Sequence, residues 1–287
     1  MKKTIRLLLW CLPWLLQSGS AHAWGLYTHV FIAQWLLWGA PLLDTELRRA
    51  VSRYPKLVMA GACMPDLALV GSWVGTQAFE RTHCWHNAAE MLAGAQNDEE
   101  RALMVGFYSH LFADVVAHHH FVPAHELMWG DWPIVVHAIS EWSMDAHIRH
   151  QVSCSPRELL RSNEAVIVRL LSHHFEITEH QARRAIRLLA QADGVLRGMQ
   201  LPQWLYRMAI RFDHRIERRF DYFLGQTSTR FTEFNRVLSG ELPQPDANGG
   251  CAQVAQVRLE QYSYHQIKLG QPLPQDCYFS PVKIEIG

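Results

Sequence analysis

Imidazole and carboxylate side chains recur every four residues in two runs of the chain, which lie between residues 108 and 145. The two sets are His110, Asp114 and His118, followed by His137, Glu141 and Asp145. Neither run contains Pro or Gly, so each can form an α-helix, in which residues four apart share a face. The other residues of each run are mostly apolar, and a charged stripe on a buried helix is costly unless something compensates for the lost hydration. Because His with Asp or Glu is a ligand set for zinc, the pattern predicts a metal site.

Further candidate ligands come earlier in the chain, near the expected ends of helices. His29 opens an apolar helix, and Asp66 follows Pro65 at the end of another, where its carboxylate can point inward. His83 and His86 are three residues apart, so one or both can reach a shared site. We expect His86 to be a buried core histidine, which leaves His83 as the candidate ligand.

The first 23 residues have the composition of a signal peptide. They begin with three basic residues, continue with an apolar core at 7–16 that is too short to span a bilayer, and end in a small-x-small cleavage site at 21–23. We therefore expect an exported protein, either periplasmic or secreted. Cleavage would leave Trp24 as the new N-terminus, and its free amine and carbonyl oxygen could together chelate a metal.

The composition excludes several classes of function. The chain has 287 residues, of which 49% are hydrophobic and 19% charged, as is typical of a globular protein rather than a disordered one. Its formal net charge is zero, and residues 24–287 carry 24 basic and 27 acidic side chains, so nucleic-acid binding is not expected. No run after residue 23 is long and apolar enough to suggest a transmembrane helix in the mature chain.

Five cysteines follow the expected cleavage site, at positions 63, 84, 154, 251 and 277. An oxidising compartment permits disulfides, and Cys63–Cys84 and Cys251–Cys277 are candidate pairs. Since the number is odd, at least one thiol stays unpaired or pairs between chains. The spacings contain no Cys-x-x-Cys zinc pattern.

Start and stop signals predict a helical body. Helices are expected to begin at or near Thr28, Asp44, Pro55, Thr82, Asn97 or Asp98, Pro133, Ser155, Thr178, Leu201 and Phe231. Two of them are expected to run without a break, over 155–171 and 201–223. The sequence therefore predicts an all-α fold, with one multi-helix domain at 24–239.

The composition changes after Gly240. Repeated Pro and Gly residues exclude long helices there, and short strands are expected at 254–259, 262–267 and 282–286. We interpret 240–287 as a short irregular or β tail packed on the helical domain, rather than as a second domain.

The order of the motifs resembles the zinc-dependent phospholipase C family, whose wider fold, the phospholipase C and P1 nuclease type, includes the single-strand-specific nucleases. The resemblance covers about residues 24–145 by motif and the helical body by fold. In that family three zinc ions lie in a cleft between helices. The implied ligands in this chain are Trp24, His29, Asp66, His83, His110, Asp114, His118, His137 and Glu141. Asp114 matches the residue that bridges two metals.

One position of the implied set has two candidates. The secreted bacterial phospholipases and the nucleases place the next His six residues after the bridging Asp, at His120, and a remoter branch places it four after, at His118. Helical phase favours His118, because a residue at i+6 points away from the stripe. The chain also departs from the family pattern at Cys84, where an aromatic residue is expected after His83.

The resemblance implies phosphodiester hydrolysis that releases a phosphorylated head group from a phospholipid. Zinc would provide an activated water at neutral pH, and Asp66 is expected to orient or deprotonate that water. A nuclease or nucleotidase on the same metal core is the alternative, as is a non-catalytic protein that binds zinc or membrane.

The arginines at 211, 215, 218 and 219 are expected to form a solvated face that could favour anionic lipid. Five tryptophans could be core residues or line a lipid-facing rim: Trp35, Trp38, Trp73, Trp129 and Trp132.

Overall fold

The structure, a computed structural model, describes residues 25–39, 42–129, 133–243 and 278–279, and within these ranges every regular element is a helix. The α-helices are α1 (Leu26–Gly39), α2 (Thr45–Arg53), α3 (Pro55–Gly61), α4 (Ala68–Gly71), α5 (Trp85–Ala93), α6 (Asp98–Val116), α7 (Val122–Trp129), α8 (Pro133–Ile148), α9 (Pro156–Ser162), α10 (Glu164–His174), α11 (Glu179–Gly198), α12 (Leu201–Phe212), α13 (Ile216–Thr229) and α14 (Phe231–Leu238). Short 3₁₀ turns occupy Pro65–Leu67, Ser72–Val74, Ala78–His83 and Arg149–Gln151, and a π turn occupies Ala117–Phe121. The all-α prediction is confirmed.

Local capping explains why several helices begin where the sequence predicts. The side chains of Asp44, Asn97, Ser155 and Thr178 each accept a hydrogen bond from the backbone N–H three residues later. These residues directly precede α2, α6, α9 and α11, and each satisfies an amide that the first helical turn leaves without a carbonyl partner. The predicted starts of these four helices are therefore confirmed.

Two long helices were predicted wrongly, because a polar side chain interrupts each of them. Asn163 separates α9 from α10, and its side-chain amide donates to the carbonyl oxygen of Leu159 at 2.8 Å. Asp213 separates α12 from α13, and its carboxylate accepts from the backbone N–H of Arg215 at 3.1 Å. Such local side-chain bonds compete with the helical hydrogen-bond pattern, so each run ends earlier than its apolar periodicity suggests.

The central helix α6 crosses α3 with their backbones in direct contact. A Cβ atom on Gly61 would overlap the carbonyl group of Leu103, and one on Gly106 would overlap the carbonyl group of Val58. Both positions therefore need the smallest residue, because any side chain would push the two helices apart. This crossing brings the carbonyl of Ala62, just past the end of α3, against a histidine of α6.

Residues 240–243 and 278–279 of the predicted tail lie within the described ranges, and Tyr278 and Phe279 are buried in the helical body. The Tyr278 ring stacks on Phe112 of α6 with 4.0 Å between centroids, and its hydroxyl donates to the Phe112 carbonyl oxygen at 2.8 Å. Phe279 packs under the guanidinium of Arg236. The three predicted strands of the tail, the predicted signal peptide and the candidate pair Cys251–Cys277 lie outside the described residues.

The candidate disulfide Cys63–Cys84 is wrong. Both thiols are free, as is that of Cys154. Cys63 is buried and its thiol contacts the carbonyl oxygen of Met59, whereas Cys84 is exposed, so the two side chains face different environments.

Among the described residues, no single helix has the length and hydropathy needed to cross a bilayer. Only the bent pair formed by Pro55–Gly61 and Pro65–Val74 meets that requirement, and only when its two parts are counted together.

Candidate metal centre

The centre is built around Asp114, a fully buried carboxylate on the long helix α6. Its Oδ1 lies 3.3 Å from Nε2 of His29, on α1. Its Oδ2 lies 3.0 Å from Nε2 of His110, one turn earlier on α6, and 3.4 Å from Nε2 of His83. The two oxygens of one carboxylate thus face imidazoles from three different parts of the chain, as the resemblance implied for a bridging ligand.

The spacing of these nitrogen and oxygen atoms, and their lack of hydrogen bonds, suit coordination of a metal ion better than direct pairing of the side chains. Neither oxygen of Asp114 and neither ring nitrogen of His29 has a hydrogen-bond partner, although all are buried. Such groups are costly to bury unpaired. Ligand atoms about 2.0–2.1 Å from a tetrahedral zinc lie about 3.3 Å from one another, and the nitrogen-to-oxygen distances here are 3.0–3.4 Å. The Nε2 atoms of His83 and His110, 3.2 Å apart, have the same spacing.

Hydrogen bonds on the far side of the rings orient two of the imidazoles. Nδ1 of His110 lies 2.8 Å from the carbonyl oxygen of Ala62, so it must carry the proton and leave Nε2 as a lone-pair ligand. Nδ1 of His83 lies 3.3 Å from the hydroxyl of Thr82, which also lies 2.7 Å from the carbonyl oxygen of Pro65. The α3–α6 crossing and the Pro65 turn therefore fix where Nε2 of each ring points.

Asp66 lies at the edge of this group, on the 3₁₀ turn after Pro65. Its Oδ1 is 3.9 Å from Nε2 of His110. Burial raises the pKa of the Asp66 carboxyl to about 8, against the opposing effect of His110. Burial acts in the same direction on Asp114, but the imidazoles of His110 and His29 hold the pKa of that carboxyl well below its usual range. A cation among these groups would keep both carboxylates ionised.

A second group of candidate ligands extends the centre toward α8. Nε2 of His137 lies 2.5 Å from Oε1 of Glu141, one helical turn later, and the ring of His118 meets the ring of His137 edge-on at 5.7 Å. Burial lowers the pKa of His118 well below its usual range and raises that of Glu141 to about 7. Nε2 of His118 has no hydrogen-bond partner, which again suits a metal site.

Eight predicted ligands therefore converge, and they are called the His–carboxylate cluster below: His29, Asp66, His83, His110, Asp114, His118, His137 and Glu141. Two sets of three, His29 with Asp66 and His110, and His83 with His110 and Asp114, have ligand atoms within 4.8 Å of one another. Trp24 lies outside the described residues, although it directly precedes Gly25.

Burial does not separate the two candidates in the triple-histidine segment. The π turn at Ala117–Phe121 breaks the α-helical phase on which the choice of His118 over His120 was based, and both side chains are buried. His118 faces the cluster, since both Asp114 and His137 shift its pKa. We therefore retain His118 as the candidate ligand.

The expectation that His86 is a core histidine is wrong. Its side chain is exposed and lies 3.2 Å from Glu90, one turn later on α5. His83, three residues earlier, is buried in the cluster. The chain leaves the Ala78–His83 turn in an extended conformation at Cys84, so the two histidines do not share a helical face.

Asp145 was the third member of a predicted stripe, but it serves another purpose. It is fully buried on α8 and accepts hydrogen bonds from the backbone N–H groups of Tyr27 and Thr28, at 3.3 and 2.9 Å, and from the Thr28 hydroxyl at 2.8 Å. It thereby caps α1 from 117 residues away. This is why α1 begins at Leu26, two residues before the expected start near Thr28.

The charge of Asp145 is balanced by Arg197 of α11. The guanidinium contacts the Asp145 carboxylate, donates to Asp193 at 3.1 Å and lies over the Tyr27 ring at 4.3 Å. A Cβ atom on Gly25 would collide with the Asp145 carboxylate. Sequence reasoning missed this arrangement, because Arg197 is far from Asp145 in the chain and no short motif links them.

Comparison with known proteins agrees with this geometry. A family model described as zinc dependent phospholipase C matches residues 28–194, more than half of the chain. The matched segment contains every residue of the His–carboxylate cluster. No curated protein and no solved structure matches the chain.

Proposed function

The chain belongs to the zinc-dependent phospholipase C family, and on this premise we propose that it is an exported phosphodiesterase that hydrolyses the head-group phosphodiester of a phospholipid. The observation that carries the proposal is the environment of Asp114, whose two buried oxygens face three imidazoles without a hydrogen bond to any of them. An ordinary buried ion pair would use those oxygens as hydrogen-bond acceptors.

The cluster supports more than one zinc ion, and we propose three. His29 and Asp66 lie on one side of Asp114, His83 and His110 supply the adjacent nitrogens, and the second group adds His118, His137 and Glu141. Trp24 would complete the first of these sites through its amine and carbonyl oxygen once residues 1–23 have been removed.

When bound, zinc lowers the pKa of a coordinated water to about 7 and offsets negative charge that develops on the phosphate. Asp66 holds the attacking water by accepting a hydrogen bond, and it receives the proton at its carboxylate.

His137 has the most exposed of the ion-paired side chains in the cluster, with 19% of its surface accessible. We therefore place the approach of the substrate phosphate on the side of His137.

Two further readings remain as alternatives to the phospholipid substrate. A nuclease or nucleotidase could use the same ligands, but a formal net charge of zero gives little attraction for a polyanion. A protein that only binds zinc or membrane would share the geometry and lack turnover. The substrate, rather than the ligand set, distinguishes these three functions.

The decisive experiment measures metal and turnover on the same sample of mature protein. We expect about three zinc ions per chain by elemental analysis, and hydrolysis of phosphatidylcholine that is lost on chelation and restored by zinc. Single-stranded DNA and a chromogenic phosphodiester are assayed in parallel. Preferential cleavage of the DNA would support the nuclease, and full zinc content with no turnover on any substrate would support the binding protein.

Trp24 has a separate test. One extra residue before Trp24 removes the free amine from its chelating position, so we expect the zinc content to fall by about one ion. Unchanged zinc content would show that Trp24 is not a ligand, while leaving the assignment of the other residues intact.

A further inference from the structure

Two large aromatic side chains are exposed on α12. Phe212, the last residue of α12, is 80% exposed, and Trp204, two turns earlier, is 49% exposed. Isolated exposed apolar residues are common, but two exposed aromatic side chains on one short helix that also carries exposed arginines are typical of a surface that contacts a binding partner.

Four arginines lie in the same segment of the chain, on α12 and at the start of α13, at spacings of four, four and three. They are Arg207, Arg211, Arg215 and Arg218, and all are exposed. Within the described part of the chain, no carboxylate forms an ion pair with any of the four. The prediction of a solvated arginine face is thus confirmed for three of its members and wrong for Arg219, which is buried against Asp213.

The acidic residues of the same segment are already engaged. Asp213 contacts Arg219 and accepts from Nε1 of Trp129, and Glu217 accepts from the hydroxyl of Tyr206. Asp221, the third acid, lies 2.8 Å from Nε2 of His147. The four arginines therefore present a local excess of positive charge, although the chain as a whole is neutral. We call these arginines, with Trp204 and Phe212, the α12–α13 face.

This face is attached to the elements that carry one side of the His–carboxylate cluster. The bond from Trp129, at 3.3 Å, ties it to α7, which follows the His118 turn. His147 lies on α8, the helix of His137 and Glu141, and its Nδ1 is 2.9 Å from the hydroxyl of Tyr206. A surface that docks through the α12–α13 face would consequently lie near the cluster.

We propose that the α12–α13 face docks the protein onto a membrane that contains anionic phospholipid. Arg side chains pair with lipid phosphates, and their apolar stems, together with Trp204 and Phe212, insert at the level of the head groups. The positive charge of the face favours an anionic membrane over a second copy of the chain as the partner. In a twofold dimer the four unpaired arginines would face the same four arginines of the other copy and repel them. Docking needs no zinc chemistry, so the inference goes beyond the proposed function.

The test is flotation of the zinc-loaded protein with vesicles of phosphatidylcholine alone and of phosphatidylcholine with about 30% phosphatidylglycerol. We expect binding only to the anionic vesicles, reduced about tenfold in Arg207→Gln/Arg211→Gln, because each basic residue near an anionic surface adds about a few-fold in affinity. Phe212→Ala should also weaken binding. Arg183→Gln/Arg187→Gln is the matched control: it makes the same change in charge, but at arginines that pair with Glu164.

Several results would overturn the proposal: no binding by the wild type, an equal loss in the control variant, or a dimer that depends on Phe212 and binds no vesicles. Hydrolysis of a soluble short-chain phosphatidylcholine is measured on the same variants and should be unchanged. Vesicle binding without hydrolysis would overturn the proposed function and leave the docking face supported. Hydrolysis without vesicle binding would overturn the docking face and leave the proposed function supported.

Discussion

Asp145 holds Thr28 by two hydrogen bonds to one carboxylate oxygen, from the backbone N–H at 2.9 Å and from the hydroxyl at 2.8 Å. His29 follows directly, with Nε2 at 3.3 Å from Asp114. Asp145, which is not one of the eight residues of the His–carboxylate cluster, therefore fixes where the first helix enters that cluster. Gly25, whose Cα approaches the same carboxylate, completes this attachment of the N-terminal segment.

Replacing Asp145 should weaken both the fold and zinc binding. Asp145→Asn keeps an acceptor for Thr28 but removes the charge that balances Arg197, so we expect a loss of about 3 kcal/mol in the free energy of unfolding. We also expect a lower affinity for the zinc ion nearest His29. Denaturant titration and competition with a chromophoric chelator measure the two effects.

The matched control for this variant is Asp98→Asn. Asp98 pairs with the exposed Arg49, so its loss should cost much less and leave zinc affinity unchanged. If Asp145→Asn matched the wild type in both stability and zinc affinity, the attachment would have no role in building the centre.

Gly106→Ala should force α3 and α6 apart. Its Cβ would overlap the carbonyl group of Val58, and backbone atoms cannot swing aside as a flexible side chain can. We expect a loss of about 3 kcal/mol and weaker zinc binding, because the Ala62 carbonyl would move away from Nδ1 of His110. Gly225→Ala, in open space on α13, should instead raise stability by about 0.5 kcal/mol. Equal stability of the two variants would contradict a close crossing of α3 and α6.

Two neighbouring histidines provide a matched pair for testing the ligands. His83→Ala should lose about one zinc ion per chain and most of the activity, because Nε2 of His83 lies 3.4 Å from Asp114. His86→Ala should retain both, since His86 is exposed and pairs only with Glu90 among the described residues. Elemental analysis of both proteins measures the difference, and equal zinc content would exclude His83 as a ligand.

The buried His125 should make the protein sensitive to acid. Burial lowers its pKa to about 3, while an unfolded histidine has a pKa of about 6.5. Between these values the unfolded chain binds a proton that the folded chain does not, so the free energy of unfolding falls as the pH falls from about 6.5 to about 3.

His125→Asn can keep a donor to the Phe121 carbonyl oxygen and does not titrate. Its free energy of unfolding should therefore depend less steeply on pH than that of the wild type, by about 1.4 kcal/mol per pH unit in that window. Denaturant titrations at pH 4, 5 and 6 give both slopes at equal zinc concentration. Identical slopes would mean that His125 is protonated in the folded protein.

Features encoded within a few residues could be predicted from the sequence. A capping side chain such as Asp44 or Asn97 acts on an amide three residues away, and His110 and Asp114 share a face whenever their segment is helical. The same reasoning placed Asp66 beside the other ligands, because a turn after Pro65 points its side chain inward. Eight of the nine predicted ligands lie in described ranges: five of them form two groups with ligand atoms within 4.8 Å of one another, and the other three form an adjoining group.

Features that depend on distant residues or on a change of helix type could not be predicted. Asp145 satisfies the amides of α1 from another helix, and Arg197 completes the pair 52 residues later. The π turn after Val116 changes the angle between successive side chains, so spacing alone does not choose between His118 and His120. Arg219 has the same chemistry as its neighbour Arg218, but tertiary packing buries it.

The stacking of Tyr278 on Phe112 has a practical consequence for handling the protein. Phe112 lies between His110 and Asp114 on α6, so a residue some forty positions beyond α14 braces the helix that carries two of the candidate ligands. Proteolytic trimming upstream of Tyr278 would leave the ring of Phe112 uncovered on the helix that carries these candidate ligands. Shortened versions of the protein should accordingly keep Tyr278.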